Sequence, residues 1–147
     1  MARYTFTTDV QAPLEVVFDL WTNLDRMAEW VGGVKEVTDV TGPIDAVGTR
    51  YTVCFGRMRS FTEVIEVDRP RRFATRFGNR ILRGQNSTTF EAAGNGTRLT
   101  QTLETEGLIA AIAARIFALR SYRGSFRGEL EAFARLAEAE VRPTGRQ

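Results

Sequence analysis

The chain has 147 residues, 43% of them apolar and 26% charged, which is the balance of an ordinary globular domain and excludes a disordered or fibrous protein. Its net charge is only +2, and the basic residues are scattered among 18 acidic ones, which argues against a nucleic-acid partner. Histidine is absent and Cys54 is the single cysteine, so histidine-dependent catalysis, an intrachain disulfide and a thiolate metal cage are excluded.

The sequence pattern and composition allow a prediction of the protein's cellular location. The sequence opens directly into an alternating polar and apolar pattern, with no signal-like segment and no apolar run of the length that a membrane span needs. All but one of the 20 Lys and Arg residues are arginine, Lys35 being the exception, a bias that reflects genome composition. We therefore expect a cytoplasmic protein of bacterial type, with no transmembrane segment and no cofactor or metal.

The first third of the chain predicts one strand followed by two short helices. Residues Arg3–Val10 alternate as a half-buried strand does. Pro13 then suits the first position of a helix that ends near Asn23. Asn23 can cap a second short helix, which Gly32-Gly33 terminates.

The middle of the chain is a succession of strands and turns. Tight turns between consecutive strands predict antiparallel pairing. With the first strand, the total is about seven, and the further predicted strands are Val34–Thr41, Gly48–Arg59, Phe61–Asp68, Arg72–Phe77, Ile81–Ala92 and Thr97–Thr105.

After Gly107 the composition changes to helix-forming residues, which predict one long helix through Ala139. Its inward stripe is Ile109, Ile112, Ile116, Leu119, Arg123, Phe126, Leu130, Phe133 and Ala137. Only this helix is large enough to cover the apolar face of so long a sheet, so the sheet must curve around it. The sequence thus predicts one α+β domain over residues 1–141, with 142–147 as a flexible tail.

Several short strings carry a resemblance to a known family: Ala12–Phe18, Asn23–Trp30, Gly48–Tyr51, Val67–Arg72 and Gly96–Thr100, followed by the closing helix. In this order, and over nearly the whole chain, they resemble the START-like or SRPBCC superfamily and, within it, the polyketide cyclase/dehydrase and lipid-transport group. The resemblance implies the helix-grip fold, in which a curved antiparallel sheet of about seven strands wraps around a long C-terminal helix.

Members of this superfamily bind sterols, lipids, quinones, hormones and polyketides, and only some are enzymes, so fold does not fix activity. The resemblance implies that the partner is a hydrophobic small molecule, of lipid, quinone or polyketide type, held between sheet and helix. The alternative is a polyketide cyclase or dehydratase acting on a poly-β-ketone in the same cavity. A third hypothesis is a protein-interaction module with a filled cavity, and a homodimer is left open.

Arg123 is the most informative single position, because it places a guanidinium on the inward stripe of the long helix. It could bind a ligand carboxylate or stabilise an enolate, which a buried arginine does well. Alternatively it pairs with Glu63 or Glu104, or extends to the cavity mouth. Tyr51 and Glu63 are the candidates for proton transfer beside it, should a reaction be catalysed.

The sequence contains more aromatic residues than one interface between sheet and helix requires, and we expect some of them to line a cavity. The candidate ligand-binding residues are Trp30, Phe55, Phe73, Phe77, Phe90, Ile112, Ile116, Leu119 and Phe126. Gly124 and Gly128 weaken the long helix, which favours close approach to the sheet or, alternatively, a notch that widens the cavity.

Overall fold

The computed structural model describes residues 2–32, 34–55, 58–79, 83–106 and 122–141, without the side chains of residues 2 and 122–126. The described strands are β1 (Ala2–Val10), β2 (Glu36–Thr38), β3 (Arg50–Phe55), β4 (Met58–Asp68), β5 (Arg72–Gly78), β6 (Arg83–Ala93) and β7 (Gly96–Glu106). The described helices are α1 (Leu14–Trp21), the short 3-10 helix η1 (Leu24–Glu29) and α2 (Tyr122–Val141). No helix in these ranges is long and apolar enough to cross a bilayer.

The described strands form one seven-stranded antiparallel sheet in the order β1-β7-β6-β5-β4-β3-β2. Strands β2 to β7 follow one another as a meander, and β1 joins the sheet beside the last strand in the chain. A bulge in β4 between Val64 and Glu66 shifts its register against β5 and bends the strand. The predicted α+β class and antiparallel sheet are confirmed.

The two short helices follow β1 as the sequence predicts. Pro13 precedes α1, and Asn23 caps η1 by accepting a hydrogen bond from the backbone N–H of Asp25 at 3.1 Å. Helix α1 buries Phe18 and Trp21 against the sheet, while η1 has no fully buried residue. Helix η1 is therefore held mainly by its partly buried side chains.

Helix α2 contributes several buried residues to the hydrophobic core. Its apolar stripe is confirmed in the described part, where Leu130, Phe133 and Ala137 are all buried. Two polar contacts also attach the helix to the N-terminal part of the chain. Glu138 accepts a hydrogen bond from the backbone N–H of Gln11 at 3.0 Å, and Glu140 forms an ion pair with Arg26. The predicted first half of the helix, residues 107–121, and the predicted tail lie outside the described residues.

Three expectations from the sequence were wrong in detail. The second strand is only three residues long, and the predicted strand Gly48–Arg59 ends at Phe55, because Met58 already belongs to the returning strand of a hairpin. Gly128 lies on the exposed side of α2 with open space where a side chain would be, so it serves neither close approach to the sheet nor a wider cavity. The side-chain environment at position 124 lies outside the described residues.

Candidate ligand-binding cavity

A cavity of about 420 Å³ lies between the inner face of the sheet and the helices. One wall is apolar and comes from α1, η1 and the turn after η1. It includes Trp21, Leu24, Met27, Trp30 and Val31. The opposite wall is the inner face of strands β3 to β7, which adds the aromatic side chains of Phe55, Phe73 and Phe77.

An aromatic cluster supports the apolar wall from behind. Phe133 of α2 is fully buried and contacts Trp21 and Trp30 edge-on, with ring centroids 5.1 Å and 5.0 Å away. The two tryptophan rings also pack against each other at 4.7 Å. Such pairs add stabilisation beyond the burial of apolar area, so the rings of this wall are fixed by α2. The indole N–H of Trp30 is buried and has no acceptor within the described residues.

The sheet wall carries a row of polar side chains, which we call the polar diagonal. Strand register places its members in three directly opposite pairs, one on β3–β4, one on β5–β6 and one on β6–β7. The row crosses five adjacent strands, which is about 19 Å of sheet width at the usual spacing between strands. Its members all line the cavity and are Tyr51 with Thr62, Thr75 with Asn86, and Thr88 with Gln101.

Two parts of the polar diagonal have distinct chemistry. Gln101 is buried and donates from Nε2 to Oδ1 of Asn86 at 3.2 Å, which fixes a pair of amides at one end. Tyr51 is buried at the other end, and burial raises the pKa of its phenol far above the usual value. No hydrogen bond or charge from the described residues offsets that shift. Tyr51 is therefore a neutral hydrogen-bond donor throughout the physiological pH range.

Glu129 is the carboxylate of the cavity wall in the described part of the chain. It lies on α2, and its Oε2 accepts a hydrogen bond from the backbone N–H of Gly32 at 3.1 Å. Burial raises the pKa of Glu129 to about 7, and the bond from Gly32 opposes that rise only in part. The carboxyl group thus titrates near neutral pH.

The structure brings together only some of the residues singled out from the sequence. Tyr51, Trp30, Phe55, Phe73 and Phe77 line the cavity. Phe90 does not, because its ring fills the core between Phe18 and Trp21, at 5.4 Å and 6.1 Å from their rings. The candidates Arg123, Ile112, Ile116, Leu119 and Phe126 lie outside the residues whose side chains are described.

The expectation that Glu63 faces the interior was wrong. Its neighbours Thr62 and Val64 face inward, so strand alternation turns Glu63 to the outer face, directly opposite Arg50 and Arg76 on the adjacent strands. Glu104 is also on the outer face, since its neighbour Leu103 lines the cavity. Neither acid can act beside Tyr51, and neither can serve as the buried partner that one interpretation gave to Arg123.

Sequence reasoning missed most of the polar diagonal and Glu129. Among its members Tyr51 is a candidate from the sequence, whereas Asn86 and Thr88 have the same strand parity as the buried Phe90 and could have been found by that signal. Glu129 precedes Phe133 by four residues, a spacing that places both on neighbouring parts of one helix face.

Comparison with known proteins agrees with the fold. No curated protein sequence matches this chain. Among solved structures, TTHA0849 from Thermus thermophilus is 19% identical with a TM-score of 0.75, and the alignment covers 96% of this chain and 100% of that one. The di-domain ARO/CYC StfQ from the steffimycin biosynthetic pathway is 10% identical with a TM-score of 0.75, covering 94% of this chain and 51% of StfQ.

A third structure, DynU16 from the dynemicin biosynthetic locus, is 21% identical with a TM-score of 0.69, covering 94% of this chain and 48% of DynU16. At these identities the likeness shows the fold alone. The sequence itself matches one family description, polyketide cyclase/dehydrase and lipid transport, over residues 1–138. Because that match spans nearly the whole chain, the protein belongs to the polyketide cyclase/dehydrase and lipid transport family.

Proposed function

We propose that the protein binds a hydrophobic small molecule in this cavity and carries or sequesters it. The proposal rests on a cavity of about 420 Å³ that has the apolar wall on one side and the polar diagonal on the other. Its volume falls within the roughly 300–1,000 Å³ of ligand pockets, and its few polar groups have the arrangement that fixes a ligand's orientation. Membership of a family of cyclases and lipid-transport proteins supports the same class of partner.

The polar diagonal narrows the class of ligand. A purely aliphatic occupant would leave the Tyr51 hydroxyl and the amides of Asn86 and Gln101 without water and without new partners. Each such loss costs about 1–3 kcal/mol. The fitting ligand is therefore an extended or fused-ring molecule with oxygen atoms along one face, such as a quinone or a polyketide-like compound.

Binding can be tested with two matched probes, anthracene and a dihydroxyanthraquinone. The chain contains two tryptophans, Trp21 and Trp30, and both line the cavity, so quenching of their fluorescence reports binding directly. We expect the oxygenated probe to bind at least about tenfold more tightly, because it alone can satisfy the polar diagonal.

A variant pair separates cavity binding from surface adsorption. Thr75→Phe puts a phenyl ring into the cavity and should abolish binding of the anthraquinone. Thr89→Phe makes the same change on β6, on the opposite face of the sheet from Thr88, and should leave binding intact. Equal binding by both variants would show that the probe is not in the cavity. Native mass spectrometry of the purified protein would then identify any ligand retained from the host.

Tyr51 favours a second candidate function, cyclisation or dehydration of a poly-β-ketone. A neutral phenol inside an apolar cavity can donate a hydrogen bond to a substrate carbonyl as charge develops on its oxygen. Arg123 is kept as the candidate oxyanion partner. If this function holds, Tyr51→Phe lowers turnover of a presented poly-β-ketone by about 10²–10⁴-fold and Arg123→Met abolishes it, with the fold intact. Retention of the ligand without conversion by the wild-type protein would favour the carrier.

A further inference from the structure

Glu129 lines the cavity but belongs to neither the apolar wall nor the polar diagonal. Its carboxyl group on α2 is partly buried and faces the same cavity as the apolar wall. Oε2 accepts the hydrogen bond from the backbone N–H of Gly32. Its second oxygen, Oε1, makes no hydrogen bond to a residue in the described part of the chain. Because the carboxyl group is only partly buried, its unused oxygen is open to a hydrogen-bond donor, either water or a group on a ligand in the cavity.

The basic residue of η1 is engaged elsewhere. On η1, Arg26 binds Glu29 at 2.8 Å and also pairs with Glu140 near the end of α2. On the sheet, the titratable residue of the described cavity wall is Tyr51, which stays neutral. No positively charged side chain of the described residues contributes to the electrostatics of Glu129.

We propose that Glu129 selects the polar end of the ligand, accepting a hydrogen bond from a ligand hydroxyl or protonated amine and excluding ligands that carry a carboxylate there. The inference rests on the proposed function of the cavity and specifies the ligand that it accepts. A donor group on the ligand would satisfy Oε1, whereas an anion would place two like charges together in a region of low dielectric constant. Ligands with a carboxylate at this end are therefore disfavoured, while alcohols, phenols and amines of equal size are accepted.

The size of this discrimination follows from the titration of Glu129. A carboxylate ligand can avoid the repulsion if Glu129 takes up a proton. With a pKa of about 7, that costs a factor of about ten in affinity at pH 8 and little at pH 6. Exclusion of anions should therefore weaken as the pH falls toward 6, a range in which an alcohol keeps the same charge.

Three probes that share one oxygenated fused-ring body and differ at one substituent test the proposal: 2-(hydroxymethyl)anthraquinone, 2-(aminomethyl)anthraquinone and anthraquinone-2-carboxylate. Their affinities are measured by tryptophan fluorescence at pH 8 and pH 6 for the wild-type protein, for Glu129→Gln and for the control Glu131→Gln. Glutamine at position 129 keeps an acceptor for the Gly32 N–H but carries no charge. Glu131 is an exposed glutamate on the same helix and does not line the cavity, so its replacement controls for the change in net charge.

In the wild-type protein and the Glu131→Gln control, we expect the carboxylate probe to bind about tenfold more weakly at pH 8 than at pH 6, and the aminomethyl probe to bind best at pH 8. In Glu129→Gln, the carboxylate probe should gain about tenfold in affinity at pH 8 and lose its pH dependence, and the aminomethyl probe should lose its advantage over the hydroxymethyl probe. If the probes bind but Glu129→Gln leaves their order and pH dependence unchanged, the selectivity is refuted while the binding function stands. If the dihydroxyanthraquinone binds but the hydroxymethyl and aminomethyl probes do not, the cavity does not accept a donor group at this end and the selectivity is refuted. If the dihydroxyanthraquinone does not bind either, both proposals fail.

Discussion

Removing the ring of Phe133 tests whether α2 holds the tryptophan rings of the apolar wall in place. The side chain is fully buried and touches both tryptophans of the wall, so Phe133→Ala leaves a cavity where three aromatic rings now meet. Large-to-small changes of this kind cost about 3–5 kcal/mol of unfolding free energy. For a chain of this length, that corresponds to a fall in Tm on the order of 10 °C.

The measurement is urea denaturation followed by circular dichroism, with Phe61→Ala as the matched control. Phe61 is the same residue type on β4, but 61% of its surface is exposed, so its truncation should change stability by no more than about 0.5 kcal/mol. The tryptophan emission of folded Phe133→Ala should also shift, since both indoles lose a neighbour. The packing argument is refuted if the two truncations cost the same, or if Phe133→Ala costs less than about 1 kcal/mol.

Three further predictions concern single groups. Burial raises the pKa of Tyr51 above the ordinary 10.0, so Tyr51 should not ionise near pH 10. The wild-type protein and Tyr51→Phe should therefore show the same rise in tyrosinate absorbance at that pH. A larger rise in the wild type would contradict the burial of Tyr51. The pKa of Glu129 is raised from 4.5 to about 7 in the folded protein, so the folded state binds this proton more tightly than the unfolded state does. Protonation of Glu129 therefore stabilises the fold fully below pH 4.5, and this stabilisation is lost as the pH rises through 7. Urea titrations should therefore show the wild type losing on the order of 2 kcal/mol relative to Glu129→Gln between pH 4.5 and pH 8, after allowance for partial exposure, and a constant difference would count against it. Gly128→Ala should raise the unfolding free energy by about 0.5–1 kcal/mol, because the site is helical, exposed and open, and a loss of stability would show an unrecognised contact.

The architecture could be predicted because each element carries its own local signal. The alternation of Arg3–Val10, the Pro13 start of α1 and the helical spacing of Leu130, Phe133 and Ala137 all agree with the structure. These signals are properties of short segments, and tight turns between strands leave little choice of pairing. The sheet order is then fixed except for the position of β1.

The lining of the cavity could be predicted only in part, because a cavity reverses the usual hydrophobic pattern. On β4 the inward residues include Ser60 and Thr62, whereas Phe61 on the same strand faces solvent. Alternation rules assume that the more apolar face is the buried one, and on this strand they leave the direction of Glu63 undecided. The polar diagonal is assembled from single residues on five strands, so it exists only once the register is known.

The pairing of β1 with β7 has a consequence for the synthesis of the chain. Among the strands of this sheet β1 is synthesised first, its partner lies among residues 96–106, and α2, which packs against β1 as well, comes later still. The meander from β2 to β7 can form by local steps, while β1 has an exposed edge until residues 96–106 have left the ribosome. Closure of the sheet and enclosure of its interior therefore belong to the last stage of folding.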